Sequence, residues 1–313
     1  MSDGPRDPRA LAVLLGIGGV WGASFLFIKV AVDEISPLEL VAARLFLGAV
    51  TVALIMRLRR MPLSVDRSLL GHICITATVS NILPFALIAW GEEHIDSGIA
   101  SVLNGTMPIF TAVFAAAILA EERFTAARAA GLALGFAGVV ALSGNDVLDI
   151  TDSSVLGQLA VVASAACYGA GAVYMRVLLG GRDPASLSML QLIVGTVIAV
   201  PLVFLFEGSP GYSMSVEGAL CLLALGIFGT GFAYIAYLWL IERIGSVRSS
   251  LVTYIIPVVG LFLGWLVLDE SIGLNTLLGA ALIIAGVGAV MRGPAPAGGR
   301  QPVTAVAEGV AVD

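Results

Sequence analysis

Ten stretches of roughly 20 mostly apolar residues, joined by short connections, take up nearly the whole chain. They run approximately over 10–32, 37–58, 69–91, 97–120, 125–144, 155–178, 185–207, 217–241, 246–268 and 273–292. A bilayer offers no hydrogen-bond partner to a bare peptide group, so stretches of this length and polarity resolve as helices that cross it. The expected fold is all-α integral membrane. Composition agrees: 58% of the 313 residues are hydrophobic and 12% charged, where soluble domains carry about 25% charged residues. The 37 glycines suit helices that approach one another closely.

The arginines fix an orientation. With the N-terminus in the cytoplasm, the inner face holds Arg6, Arg9, Arg57, Arg59, Arg60, Arg67, Arg123, Arg128, Arg176, Arg182, Arg243, Arg248, Arg292 and Arg300, and the outer connections hold no base. Of the 16 basic residues, that leaves Lys29 and Arg44, both inside spans. A split this uneven predicts that both termini are cytoplasmic. The net charge of −6 comes from acidic connections and an acidic tail, and gives no reason to expect nucleic acid as a partner. Cys74, Cys167 and Cys221 are isolated in apolar stretches, so neither a disulfide framework nor a metal or other cofactor is expected.

The chain repeats itself. A shift of 147 residues lays Trp21-Gly22-Ala23 on Tyr168-Gly169-Ala170, Lys29 on Arg176, and Pro37, Leu40 and Gly48 on Pro184, Leu187 and Gly195. At 149, Trp90, Glu93, Ile95, Ser97, Ser101 and Pro108 meet Trp239, Glu242, Ile244, Ser246, Ser250 and Pro257; at 148, Glu122, Gly131 and Gly138 meet Glu270, Gly279 and Gly286. Each repeat holds five spans. An odd number forces the second repeat to enter from the opposite side, so the fold is predicted as two inverted five-helix repeats. The predicted organisation is a cytoplasmic N-terminus (1–9), a first repeat (10–144), an outer linker (145–154), a second repeat (155–292) and a disordered cytoplasmic tail (293–313). Inverted repeats are a common architecture of secondary transporters, with a substrate site near the midplane.

The motifs resemble the ten-helix EamA-type branch of the drug/metabolite transporter superfamily. Those that carry the resemblance are Trp21-Gly22-Ala23-Ser24-Phe25 with Lys29, then Pro37 with Ala43-Arg44-Leu45-Phe46, then Pro108 before Glu122-Arg123-Phe124-Thr125 and the Gly131–Gly138 run, and Pro257 before Glu270 and the Gly279–Gly286 run. The resemblance covers residues from about 10 to 292 and implies an inner-membrane exporter of small metabolites, neutral and aromatic amino acids among them. The second half departs from the pattern at Gln191, opposite Arg44, and at Ser271, opposite Arg123.

Pseudo-symmetry proposes a site. Asn81 maps to Thr230 and Asn104 to Thr253, giving four hydrogen-bonding side chains at similar depth, either for solute or for neighbouring helices. Trp21, Phe25, Phe85, Tyr168, Tyr234 and Tyr254 form either the wall of a pocket for a partly apolar solute or an ordinary aromatic core. Pro108 and Pro257 remove backbone donors and act either as hinges or as static bends. Lys29 is expected to snorkel or to pair with Asp33 or Glu34. Arg44 is expected in a structural outer-gate ion pair with Glu39, Glu92 or Glu93, ahead of a carboxylate-binding role. No acid lies in the middle third of a span, so a buried carboxylate relay is not expected.

An enzyme would need convergent chemistry, and no His-Glu-x-x-His pair, Cys/His cluster or nucleotide loop is present. The expected activity is export of a small solute by a monomer in the lipid bilayer. Lipid-headgroup translocation and broad drug efflux are the alternatives on the same fold.

Overall fold

The computed structural model describes residues 8–64, 66–118, 125–143, 152–178, 182–208, 214–244, 249 and 251–291. The tail 293–313, most of segments 1–9 and 145–154, and Arg6, Glu122, Arg123, Ser246, Arg248, Ser250, Arg292 and Arg300 lie outside them.

Within the described residues ten helices follow one another. These are α1 (Pro8–Val32), α2 (Pro37–Leu58), α3 (Leu70–Glu92), α4 (Ser97–Ile118), α5 (Ala126–Ser143), α6 (Ser153–Leu178) and α7 (Pro184–Phe206). Then come α8 (Val216–Ala224, Leu225–Phe232 and Ala233–Ile244 in unbroken succession), α9 (Val252–Val267) and α10 (Leu274–Met291). Seven are long and apolar enough to cross a membrane; α5, α9 and α10 are shorter apolar helices.

Corresponding helices start by the same device. Ser36 caps α2 by accepting from the Glu39 N–H, and Asp183, its repeat mate, caps α7 by accepting from the Ser186 N–H. Each cap precedes a proline, which needs no donor at the first helical position.

Packing follows the repeat. α1 lies on α9 and α6 on α4; α3 lies on α6 and α8 on α1; α2 meets α7 and α5 meets α10. Exchanging each helix for the one five places along turns every pair into another pair of the set, as a two-fold relation between the halves requires. The α5–α10 seam is closest. A Cβ on Gly131 would lie 2.6 Å from the Gly286 oxygen, and one on Gly138 would lie 2.8 Å from the Gly279 oxygen. These two contacts are repeat mates of each other, and only glycine lets the backbones meet there. Large apolar side chains such as Phe46, Val50, Leu54, Phe136 and Phe204 point outward, as lipid-facing residues do.

Both ends are fastened across the repeats. Where α1 joins α2, Glu34 accepts from the hydroxyl and N–H of Ser215 at the start of α8, and these bonds hold its carboxyl below the usual range. Ser36 donates to Glu207, and Glu270 accepts from the N–H groups of Ser97 and Gly98 at 2.7 and 2.9 Å, capping α4. At the opposite end Arg182 bonds Asp66 at 2.9 Å, and the Ser64 N–H bonds Ser186.

Candidate functional site

Both α3 and α8 change winding at the same repeat position. Thr78–Ile82 in α3 and Leu225–Phe232 in α8 are π-helical, a rare geometry that concentrates at functional positions. In α3 the turn precedes Pro84, which cannot donate to the regular ladder. In α8 it contains Gly226, Gly229 and Gly231, where a Cβ would come within 2.9 Å of Leu47, Ser24 and Thr51. These turns carry the repeat mates Asn81 and Thr230.

Between the turns stands Arg44. It is 5% exposed, and its Nε donates to Thr230 Oγ1 at 3.0 Å, while Cζ lies 3.9 Å above the centre of the Phe85 ring. Thr230 in turn donates to the Leu225 carbonyl. Phe85 meets Tyr168 edge-on at 6.4 Å, and the Tyr234 hydroxyl donates to Asn81 Oδ1 at 2.8 Å. Trp21 closes the group from α1, with its indole N–H on the Gly229 carbonyl at 3.1 Å and its ring 5.2 Å from Tyr237. The members Trp21 and Tyr168, Asn81 and Thr230, and Phe85 and Tyr234 are three pairs of repeat mates.

Donors are in surplus here. Among the described residues the two terminal nitrogens of Arg44 make no hydrogen bond, and the Asn81 amide, as oriented by Tyr234, keeps a buried nitrogen without an acceptor. A buried cation with no carboxylate hydrogen-bonded to it is costly to hold, and Glu92, the acid that acts on Arg44, does so without a hydrogen bond. The ion pair expected for Arg44 is not formed. α2 turns Arg44 toward α8, the Glu39 carboxylate is taken by the Ser36 N–H, Glu93 is exposed, and the Glu92 oxygens have no hydrogen-bond partner. Opposite Arg44, Gln191 is buried and donates to Thr76 Oγ1 at 3.0 Å and Met175 Sδ at 3.1 Å, so the charge belongs to one half alone.

Of the other expected members, Phe25 is buried in a core cluster with Ile28, Ile88 and Ile256 against which Trp21 and Tyr168 also pack, and Tyr254 packs on Ile109, Ala112, Val287 and Val290. Asn104 keeps a buried oxygen without a partner at the end of the first segment of α4, and Thr253 lies half-buried near the start of α9. α4 breaks at Gly105–Thr106, just ahead of Pro108, whereas α9 runs unbroken through Pro257. Pro257 is the sixth residue of α9, so its missing N–H removes one hydrogen bond from inside the helix without interrupting it. Lys29 pairs with neither Asp33 nor Glu34; its ammonium donates to the carbonyls of Glu92 and Ile95, which satisfies the open end of α3. The π turns, Ser24 and the Glu270 cap escaped sequence reasoning. The capping glutamate had left the Glu122–Glu270 match and its place in the motif after Pro257 as traces, neither of which shows what it caps.

Ten helices in two five-helix repeats, with a buried polar and aromatic group between them, form the architecture that recurs in secondary transporters. The EamA-like transporter family model matches residues 9–144 and 155–292, and the chain belongs to that family. The resemblance to the drug/metabolite transporter superfamily read from the motifs is thereby borne out. An uncharacterized transporter, YoaV, of Bacillus subtilis (strain 168) is 32% identical over 278 residues, covering 88% of this chain and 95% of that protein. A "probable terminal-alkyne amino-acid exporter" of Streptantibioticus cattleyicolor is 27% identical, covering 87% and 90%. An uncharacterized inner membrane transporter, YedA, of Escherichia coli (strain K12) is 24% identical and covers 78% of each chain. A solved crystal structure superposes with a TM-score of 0.64 at 18% identity, covering 90% of this chain and 97% of that one, which speaks to fold alone.

Proposed function

We propose that the protein exports a small metabolite bearing a carboxylate, a neutral or aromatic amino acid, by alternating access around Arg44. The observation that carries this is the guanidinium itself: buried, charged, and with its terminal donors unspent. A carboxylate fits such a fork with two parallel bonds. Phe85, Tyr168, Trp21 and Tyr234 add aromatic surface beside it, suited to contact an uncharged or aromatic side chain. The relative named as an amino-acid exporter supports the same solute class. With the arginine split, the reading places both termini in the cytoplasm, and the relative YedA supports an inner-membrane location. The protein works as a monomer, each copy carrying its own site. Pro108 and Pro257 are assigned the bending positions of α4 and α9.

Reconstitution into liposomes tests this. Counterflow of radiolabelled neutral and aromatic amino acids is expected above empty-vesicle background, with no acceleration of fluorescent lipid-headgroup translocation or of cationic dye efflux. Headgroup or dye movement without amino-acid counterflow overturns the assignment.

A further inference from the structure

Glu92 ends α3 fully buried, at 0% exposure, and neither carboxyl oxygen has a hydrogen-bond partner. The cause is close packing. A Cβ on the preceding Gly91 would lie 2.7 Å from Val161 and 2.9 Å from the Gly157 carbonyl, so this end of α3 is pressed onto α6. The repeat mate of Glu92 is Ile241, so the fold's own solution at this position is apolar and the carboxyl is an addition. Its charged surroundings are Lys29 from α1, Arg44 from α2 and Glu270 from the α9–α10 connection; α6 presses Gly157 and Val161 onto the neighbouring Gly91, and Glu93, His94 and Asp96 follow in the chain. The ammonium of Lys29 reaches the Glu92 backbone carbonyl, yet it stays with that oxygen and that of Ile95 and leaves the carboxyl unpaired. Among the described residues no three acidic, His or Cys side chains are placed to share a metal ion.

We propose that Glu92 is a proton-binding site, and that the proton it takes is required to close the end of the transporter where α3 meets α4. The proposal rests on the reading of the protein as a solute exchanger. Closure strips the carboxyl of water and offers no donor in return, a condition that strongly disfavours a charged carboxylate. A proton from water, forming an O–H bond on one carboxyl oxygen, removes that cost. When α3 and α6 part, water and the Lys29 ammonium reach the group and the proton leaves. Rising pH on that side therefore holds the end open and slows the cycle.

Two measurements on the reconstituted full chain test this. Infrared spectra should contain the C=O stretch of a protonated carboxyl that fades as pH rises and is missing from Glu92→Gln. In counterflow, wild-type exchange should fall about tenfold per pH unit once Glu92 titrates, while Glu92→Gln, neutral at every pH, keeps its rate and loses the dependence. Wild-type spectra without that band, or a Glu92→Gln profile parallel to wild type, overturn the proposal. If no amino acid is carried, the infrared band still decides the Glu92 proposal alone, and the failure falls on the assigned solute.

Discussion

Arg44→Leu should lower amino-acid counterflow at least 30-fold while leaving the folded protein as stable as wild type, or more so. The two halves of this expectation come from the same geometry. Removing one partner of a buried, hydrogen-bonded charge pair costs about 2–5 kcal/mol, or roughly 30-fold and upward, and the partner lost here is the solute carboxylate. The empty protein meanwhile sheds a buried cation that, among the described residues, holds one hydrogen bond, to Thr230. Replacing such a charge by an apolar side chain is often neutral or stabilising. A structural Arg44 would behave the other way, with melting temperature and transport falling together. Arg44→Lys keeps the charge but loses the planar fork, so its flux should lie between the other two. Initial counterflow rates and thermal unfolding in detergent check all three proteins.

Gly286→Leu should abolish recovery of folded protein. A Cβ at this position would sit 2.7 Å from the Gly131 oxygen and 2.9 Å from the Gly135 nitrogen. Both are backbone atoms of α5 and have no rotamer to move into, so the whole α5–α10 seam must open. Overpacking costs typically 1–3 kcal/mol where side chains can shift, and here the expected cost is about 3 kcal/mol or more. Gly131→Leu should do the same, since its contact with Gly286 is the repeat mate of the one between Gly138 and Gly279. Gly16→Leu is the control: nothing lies within 4 Å of its Cβ, and it should express and elute as wild type. Size-exclusion profiles and melting temperatures report the difference.

The bilayer makes much of this fold legible. Span length, the arginine split and the repeat are each imposed by a slab of fixed thickness and polarity, and each leaves a mark in linear sequence. The repeat also paired Trp21 with Tyr168 and Asn81 with Thr230, and Phe85 and Tyr234 stood with them among ten expected site residues; the structure links these six in the group around Arg44. Partners across helices were not legible. Height along the membrane normal made Glu39, Glu92 and Glu93 equal candidates for Arg44, because depth can be counted from sequence whereas the rotation of α2 about its axis depends on packing against α7 and α8. For the same reason the carbonyls that hold Lys29 were invisible: a backbone acceptor has no letter of its own. π-Helical turns in α3 and α8 have no residue signature beyond Pro84 and a scatter of glycines, yet they set where Asn81 and Thr230 point. Pro108 and Pro257 read alike in sequence and differ in place, one just after a break in α4 and the other inside the unbroken α9.

The most direct test of the Arg44 site is a competition pair: an amino acid that the reconstituted protein carries, and its carboxamide, each added as competitor in wild type and in Arg44→Leu. If the guanidinium reads the carboxylate, the amide should compete at least 30-fold more weakly in wild type, by the same loss of a buried charge pair of about 2 kcal/mol or more, and the gap should vanish in any residual activity of Arg44→Leu. Equal competition by acid and amide in the wild-type protein would contradict it.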